Sequence, residues 1–214
     1  MQFRDVLLSR RSIRRFTSEP VPRGTIEEIV RDASHAPSWV NAQEWRVYAA
    51  SGKALEKIRE DFAARAAAGI PGRSDMPAAH RTQWSGKAQR HMAGFGEALY
   101  KLGAADDMAA CQDVLFDAPW ALILTLPQNA SGWAVLDLGG FEQSILLCAT
   151  DRGLGSIPAY AFAMYPDIMR KNLNIPESES VVVGIGIGHA ADKLINTLRT
   201  TREENLSEVL TVRE

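Results

Sequence analysis

The sequence RRSIRRF, residues 10–16, places four arginines and one serine within seven residues. Four guanidinium groups at this spacing repel one another, so an ordered arrangement requires bound anions, partner carboxylates or full solvation. Three interpretations are open: a solvated basic turn, a basic arm for nucleic acid, and a cradle for a phosphorylated cofactor. The rest of the chain has to distinguish between them.

The composition is that of an ordinary globular protein. Of the 214 residues, 46% are apolar and 23% are charged, and the formal net charge is -2. This length suits a single domain, residues 1–214, with a core of its own. Nucleic-acid binding by bulk electrostatics is disfavoured, because it usually requires an excess of positive charge. The basic character is therefore local to the arginine segment.

Cysteine usage and apolar runs indicate the compartment. Cys111 and Cys148 are the only cysteines and lie far apart without CxxC spacing, which argues against a disulfide framework or a zinc site. No apolar run approaches the roughly 18 residues of a membrane span, and the first residues alternate charged and apolar types. We therefore expect a reduced, cytoplasmic protein.

Helical and strand patterns alternate along the chain. Thr25 and Glu28 match a capping box that would open an early helix. The longest periodic segment, residues 133–152, predicts a central helix whose core face includes Val135. The segments with strand character are residues 45–50, 120–126, 154–158 and 181–187. This alternation predicts an α+β, or α/β-layered, fold in which helices cover a sheet.

Two segments stand apart from this alternation. Residues 66–86 are interrupted repeatedly by glycine and proline, which predicts a flexible excursion. The tail at about residues 196–214 is polar and closes with Leu206, Val209 and Leu210. These apolar residues suit the tail to packing on a neighbouring molecule.

Several familiar catalytic motifs do not fit the sequence. Gly184 and Gly186 resemble the start of a GxGxxG dinucleotide motif, but its third glycine would fall at His189. With Gly188 they are better interpreted as sites of close strand packing. The histidines show no HxxxH or HExxH spacing, and no GxSxG elbow occurs. Metal-dependent and serine-based hydrolysis are therefore disfavoured.

A second polar segment, APSWVNAQEW at residues 36–45, connects a predicted helix to a predicted strand. The side-chain amides of Asn41 and Gln43 each have a donor and an acceptor face, which suits the edge of a planar heterocycle. A well-hydrogen-bonded connection explains the same residues without any ligand. The residues alone leave both interpretations open.

Four segments occur in an order that is typical of one family. They are RRSIRRF, APSWVNAQEW, GLGSIPAYAF at residues 153–162, and LRTTR at residues 198–202. In this order and spacing the chain resembles the FMN-dependent nitroreductase family over most of its length. The resemblance implies an α+β nitroreductase-like fold, with a central, mostly antiparallel sheet covered by helices, and an intertwined homodimer. It also implies that about residues 66–118 form a variable helical excursion, or lid.

The resemblance also implies a set of FMN-binding residues. The N-terminal ligands would be Arg10, Arg11, Ser12 and Arg14, and the phosphate site would be completed by Arg199 and Arg202. The loop framing the flavin ring together with the other subunit would comprise Pro37, Ser38, Trp39, Asn41 and Gln43. Along the opposite side of the ring would run Pro158, Ala159, Tyr160 and Ala161. Arg15 matches no ligand position, and we interpret it as a solvated or structural charge.

Two of these residues would take part in catalysis. Arg14 would lie beside N1 and the C2 carbonyl of the flavin, where a fixed cation favours hydride acceptance. The backbone N–H near Tyr160 would address N5, the atom that receives and delivers hydride. Tyr160 and Ala161 replace a frequent acidic residue and glycine of the family, so the acceptor pocket is the least transferable feature. Trp39, Trp84 and Tyr160 are candidates for its wall.

The implied activity is a ping-pong reaction in a homodimer with FMN sites at the subunit interface. NADH or NADPH would reduce FMN, which would then reduce nitroaromatic or quinone-like acceptors. One alternative is a flavin-binding relative with another reaction, namely reductive dehalogenation, dehydrogenation or flavin breakdown. A more distant alternative is a non-enzymatic module that binds nucleic acid or protein through the basic segment.

Overall fold

The centre of the fold is an antiparallel sheet. The computed structural model describes residues 2–202 and 205–214. Within these residues, four strands pair in the order β1-β2-β4-β3, and every neighbouring pair is antiparallel. The strands are β1 (Arg46–Ser51), β2 (Trp120–Pro127), β3 (Gly155–Ala159) and β4 (Glu179–Gly188). The predicted α+β class and the antiparallel sheet are confirmed.

Helices cover both faces of this sheet. In the described residues the α-helices are α1 (Phe3–Ser9), α2 (Arg23–Ala33), α3 (Gly52–Ala67), α4 (Gly86–Lys101), α5 (Ala105–Asp113), α6 (Gly132–Asp151) and α7 (Pro166–Leu173). None of them combines the length and apolar character that crossing a membrane requires.

The sheet divides the interior into two cores. Successive residues of a strand point to opposite faces, and in β2 Ile123 belongs to one apolar cluster while Leu122 and Leu124 belong to the other. Helices α3 and α7 pack over the first face, and α2 and α6 pack over the second. The apolar run of residues 120–124 in β2 follows from this, because both faces of the strand are covered.

The glycines of β4 serve close packing, as predicted. A Cβ atom on Gly184 would overlap the side chain of Phe162, and one on Gly188 would overlap Pro119. Gly186 is similarly crowded by Ala118. The series therefore lets the turns beside the sheet approach the backbone of β4.

Two details of the helix predictions were wrong. Helix α2 begins at Arg23, before Thr25, and no side chain caps it. Pro22 precedes the helix with φ -59°, and its carbonyl accepts from the N–H of Thr25, so proline replaces the capping box. In α6, Val135 is 36% exposed. The core face runs through Ala134, Leu138, Phe141 and Ile145, one position away from Val135.

The excursion contains both irregular and helical parts. Between α3 and α4, the described chain forms only one short 3-10 turn, Arg81–Gln83. The first part of this stretch is tied to the body of the protein. The Tyr165 hydroxyl donates to the Ile70 carbonyl at 2.7 Å, and Arg170 pairs with Asp75 at 2.7 Å.

Candidate functional site

The arginine segment lies along the edge of β3 as an extended strand-like stretch. Ser12 forms a parallel bridge with Ser156, and the N–H of Ile13 donates to the Ser156 carbonyl at 2.9 Å. The side chain of Ile13 packs over Gly155, where a Cβ atom would come within 2.7 Å of it. The missing side chain at Gly155 therefore allows the arginine segment to approach the sheet.

An open cavity of about 230 Å³ forms where this segment meets the C-terminal part of the chain. Its polar lining consists of Arg10, Arg11, Ser12, Arg14, Arg199, Thr200 and Arg202. Leu7, Leu8 and Leu198 supply the apolar lining. The fold thus brings together the two basic segments that are almost the whole chain apart in sequence. We call this space the arginine cavity.

The charges of the arginine cavity are not balanced by the protein. Among residues 2–202 and 205–214, no carboxylate forms an ion pair with any of its five arginines. Burial lowers the pKa of Arg10, and the nearby charge of Arg202 lowers the same pKa further. Burial also lowers the pKa of Arg14, which is 8% exposed. Guanidinium groups in this arrangement suit a doubly charged, oxygen-rich anion such as a phosphate monoester.

The side chain of Asn196 joins the two basic segments. Its Oδ1 accepts from the backbone N–H of Arg14 at 2.7 Å and of Arg15 at 3.1 Å. Its Nδ2 donates to the carbonyls of Arg15 and Ala191 at 2.7 and 2.8 Å. The Arg11 Nε donates to the Asn196 carbonyl at 3.0 Å. Asn196 is 4% exposed, so both faces of a buried amide are fully used.

Sequence reasoning did not identify Asn196 as important. The only signal was a polar residue between Ile195 and Thr197 in a segment that otherwise reads as tail. Nothing local shows that its amide meets the backbone about 180 residues earlier in the chain.

Arg14 and Arg15 have opposite surroundings. Arg14 faces the arginine cavity, its Nη1 donates to the Ser12 carbonyl at 3.1 Å, and its Cζ lies 5.8 Å from the centre of the Phe95 ring. Arg15 instead pairs with Asp107 at 2.8 Å and Asp117 at 3.3 Å. The interpretation of Arg15 as a structural charge agrees with these contacts.

The Arg15 contacts fix an unusual turn beside the site. All three residues of Leu115–Asp117 have positive φ, between 49° and 64°, a conformation that costs energy without glycine. Arg59 supports it by donating to the carbonyls of Val114 and Ala118.

Burial raises the pKa of the nearby Cys111 thiol to about 11, so this cysteine is neutral at physiological pH and unsuited to be a nucleophile.

The polar loop of residues 36–45 lies outside the arginine cavity of its own chain. Trp39 stacks on Trp133 with ring centres 4.8 Å apart, and the backbone N–H of Trp39 donates to the Asp137 carboxylate at 2.9 Å. Gln43 donates to the Asn41 side chain at 2.7 Å. None of the five residues predicted to frame the flavin ring lines the arginine cavity of its own chain. These residues are Pro37, Ser38, Trp39, Asn41 and Gln43.

The fourth predicted segment follows β3 away from Ser156. Pro158 and Ala159 end the strand, and Tyr160 and Ala161 begin the 3-10 turn Tyr160–Ala163. Because the arginine segment runs parallel to β3, the register carries Arg14 towards Pro158. Tyr160 is exposed, whereas Ala161 is buried.

One buried hydroxyl at this edge has no protein partner. The Ser156 Oγ has no hydrogen-bond partner among the described residues, although Ser156 is paired through its backbone with Ser12 and Ile13. Unpaired buried polar atoms are uncommon and often mark functional sites. In the part of the chain that the structure describes, no group of three or more histidine, cysteine or acidic residues is placed to hold a metal ion.

Replacing Asn196 tests how far the arginine cavity depends on it. Asn196→Leu keeps the side-chain volume similar but leaves the N–H groups of Arg14 and Arg15 without their acceptor. It also removes one of the two donors to each of the Arg15 and Ala191 carbonyls. We expect the free energy of unfolding to fall by about 2–4 kcal/mol in urea denaturation.

Thr197→Ala is the matched control, because it removes an exposed side-chain hydrogen bond to Leu194 in the same turn. We expect it to cost less than about 1 kcal/mol. Equal losses in the two variants would contradict the special role of Asn196.

Comparison with known proteins places the chain in a family. The profile of the nitroreductase family matches residues 7–189. A 4-nitrobenzoate reductase of Pseudomonas putida is 31% identical over 94% of this chain and 91% of its own length. A nitrobenzene nitroreductase of Ectopseudomonas oleovorans is 28% identical over 97% of this chain and 95% of its own length.

A solved structure extends the similarity to the fold. The FMN-dependent nitroreductase NfnB from Mycobacterium smegmatis, crystallised with NADPH, superposes with a TM-score of 0.91 at 27% identity. The superposition covers 100% of this chain and 99% of the other. These matches agree with the antiparallel sheet and with the position of the arginine segment along β3. The chain therefore belongs to the nitroreductase family.

Proposed function

We propose that the protein is an FMN-dependent oxidoreductase that takes hydride from NADH or NADPH and reduces nitroaromatic or quinone-like acceptors by a ping-pong mechanism. The observation that carries this proposal is the arginine cavity, in which five arginines face one space without a carboxylate partner among the described residues. The relatives named as nitrobenzoate and nitrobenzene reductases support the acceptor class, and the NADPH complex of NfnB supports the hydride donor.

The residues present fit the phosphate end of FMN. A phosphate monoester carries a charge of about -1.5 to -2 at neutral pH and offers three strong acceptor oxygens. Arg10, Ser12, Arg199 and Arg202 offer guanidinium and hydroxyl donors around the arginine cavity. Burial and, to a smaller extent, the charge of Arg202 lower the pKa of Arg10, and a bound phosphate would offset the repulsion between these two arginines. Arg11 adds positive charge while its Nε stays bonded to the Asn196 carbonyl.

We assign to Arg14 the role of making bound FMN a better hydride acceptor. Bound FMN would supply the two-electron chemistry, by accepting hydride from the nicotinamide and delivering it to the acceptor. Arg14 would hold its positive charge beside N1 and the C2 carbonyl of the flavin. Its buried position, fixed by Asn196 and by the Ser12 carbonyl, strengthens its electrostatic effect.

The opposite side of the ring is assigned to residues 158–161. The backbone N–H of Tyr160 would donate to N5, and Pro158, Ala159 and Ala161 would shape the surface along which the ring lies. The support is the parallel register between the arginine segment and β3, which brings this stretch to the same edge of the sheet as Arg14. A backbone donor is sufficient here, because hydride transfer depends on stacking and distance.

The loop that frames the ring comes from a second copy of the chain in this proposal, so the enzyme is a homodimer with two interfacial sites. The outer face of α6 supports it, because Trp133 and Leu136 are exposed there beside Trp39 and Val40, which is 86% exposed. Gly139 and Gly140 have open space above them, which would permit close approach of a partner helix. Leu206, Val209, Leu210 and Val212 add further exposed apolar side chains in the tail.

The setting proposed for this enzyme is the reduced cytoplasm. The support is the state of the cysteines, since Cys111 and Cys148 are both free thiols.

A visible absorption spectrum tests the proposed function. We expect purified protein to be yellow or to bind added FMN at low salt, NADPH to bleach the bound flavin without oxygen, and nitrobenzene to restore the colour. Colourless protein that fails to bind FMN would contradict the whole proposal. Bleached protein that no nitroarene or quinone reoxidises would contradict the acceptor assignment.

A charge on the outer face of α6 tests the dimer. Leu136 is 64% exposed in the single chain, so Leu136→Glu should fold, but the buried carboxylate should disrupt the interface. We expect light scattering to show a monomer and FMN titration to show a dissociation constant raised at least tenfold. Ala63→Glu, at an exposed position of α3, is the control and should remain dimeric. A dimeric Leu136→Glu variant with normal FMN affinity would argue against this interface.

A further inference from the structure

A second cavity lies next to the arginine cavity and has no role in the proposal above. It has a volume of about 300 Å³ and is lined by Arg81, His91, Met92, Phe95, Thr200 and Thr201. Thr200 lines both cavities. The ring of Phe95 also contacts Arg14, whose Cζ is 5.8 Å from the ring centre. The second cavity therefore adjoins the end of the arginine cavity at which Arg14 lies.

The lining of the second cavity combines an apolar surface with polar and basic side chains. Met92 and Phe95 are three residues apart on α4, so they share one side of that helix. Both are only half-buried, and none of the described residues of α4 is fully buried. Arg81 and His91 add basic groups and the two threonines add hydroxyls. This combination suits an aromatic ring that carries an anionic group.

The backbone around Arg81 forms an organised turn within an otherwise irregular stretch. The His80 side chain accepts from the N–H of Thr82, and the Gln83 side chain accepts from the N–H of His80 at 2.7 Å. Gln89 of α4 donates to the Trp84 carbonyl at 2.8 Å, which ties the turn to the helix. Within residues 2–202 and 205–214, no carboxylate forms an ion pair with Arg81. Arg81 is exposed and lines the second cavity, so its charge is available to a ligand there.

We propose that the second cavity determines acceptor specificity by binding an aromatic electron acceptor that carries a carboxylate. The ring would lie on Met92 and Phe95, and the carboxylate would be bound by Arg81 with help from a threonine hydroxyl. The volume favours a small acceptor over the dinucleotide, because 300 Å³ is at the lower limit of small-molecule sites. This inference rests on the proposed function, since it names the substrate class of the same enzyme.

Paired acceptors test the inference in the FMN-loaded enzyme. 4-Nitrobenzoate and its methyl ester share the ring and the nitro group, but only the acid carries a negative charge. We expect the ratio of kcat/KM for the acid to kcat/KM for the ester to fall about tenfold in Arg81→Gln, mainly through KM for the acid, because one charge-assisted contact is lost. Arg81→Lys should restore the acid-to-ester ratio in part, since lysine keeps the charge but cannot bind the carboxylate in a bidentate manner.

Arg90→Gln is the matched control. Arg90 is exposed on α4 and does not line the second cavity, so this variant removes the same charge from the same region and should keep the wild-type ratio. FMN titration of each variant should give the wild-type dissociation constant, because Arg81 does not line the arginine cavity.

Two results would overturn the inference. One is an acid-to-ester ratio that does not change in Arg81→Gln, or that changes equally in Arg90→Gln. The other is a loss in Arg81→Gln that appears as a raised KM for NADPH and not for the acid. Failure of the proposed function is distinguishable from both, because the wild-type enzyme would then reduce neither the acid nor the ester.

Discussion

The amide of Asn196 is the contact on which the arrangement of the site depends. It is buried, and its hydrogen bonds to two N–H groups and two carbonyls reinforce the backbone bond from the Ala191 N–H to the Arg15 carbonyl. Only a side chain with a donor and an acceptor at this reach can do so. Because it holds the backbone of Arg14 and Arg15, it also decides where these two side chains point.

Arg14 and Arg15 point in different directions, and their positive charges have different surroundings. Arg15 is neutralised by Asp107 and Asp117, and these ion pairs attach α5 and the left-handed turn Leu115–Asp117 to the arginine segment. Arg14 and the other arginines of the cavity have no such partner among the described residues. Their mutual repulsion is a cost to the ligand-free fold, and an anionic ligand would remove it. Binding and stability are therefore coupled in the proposed enzyme.

The sheet and the main helices were predictable because their signals are local. The apolar run of residues 120–124 in β2 reflects burial on both faces of the strand, and the glycines of β4 reflect close packing. A short window of sequence reveals both signals. The start of α2 was not predicted correctly, because Pro22 sets the boundary that Thr25 and Glu28 appeared to mark. Val135 was predicted to face the core, but its neighbour Ala134 does so instead. The error arose because the exposed face of α6 is also apolar.

Part of the site could also be predicted from local sequence, and part could not. The arginine segment and the pair Arg199 and Arg202 were identified from sequence, and the fold brings them into one cavity. Asn196 and the turn that carries Arg81 were not identified, because their roles depend on tertiary contacts with distant residues. The polar loop of residues 36–45 lies elsewhere on its own chain, so its predicted role requires a second subunit that a single chain does not contain.

The claim that the arginine cavity binds a phosphate is tested most directly by titrating the apoprotein with FMN and with riboflavin under the same conditions. The two ligands share the ring and the ribityl chain and differ only in the phosphate. Since charge-assisted hydrogen bonds contribute about 1.5–3 kcal/mol each, two or more of them predict that FMN binds at least about a hundredfold more tightly. Equal affinities for FMN and riboflavin would contradict the assignment of these arginines to the phosphate.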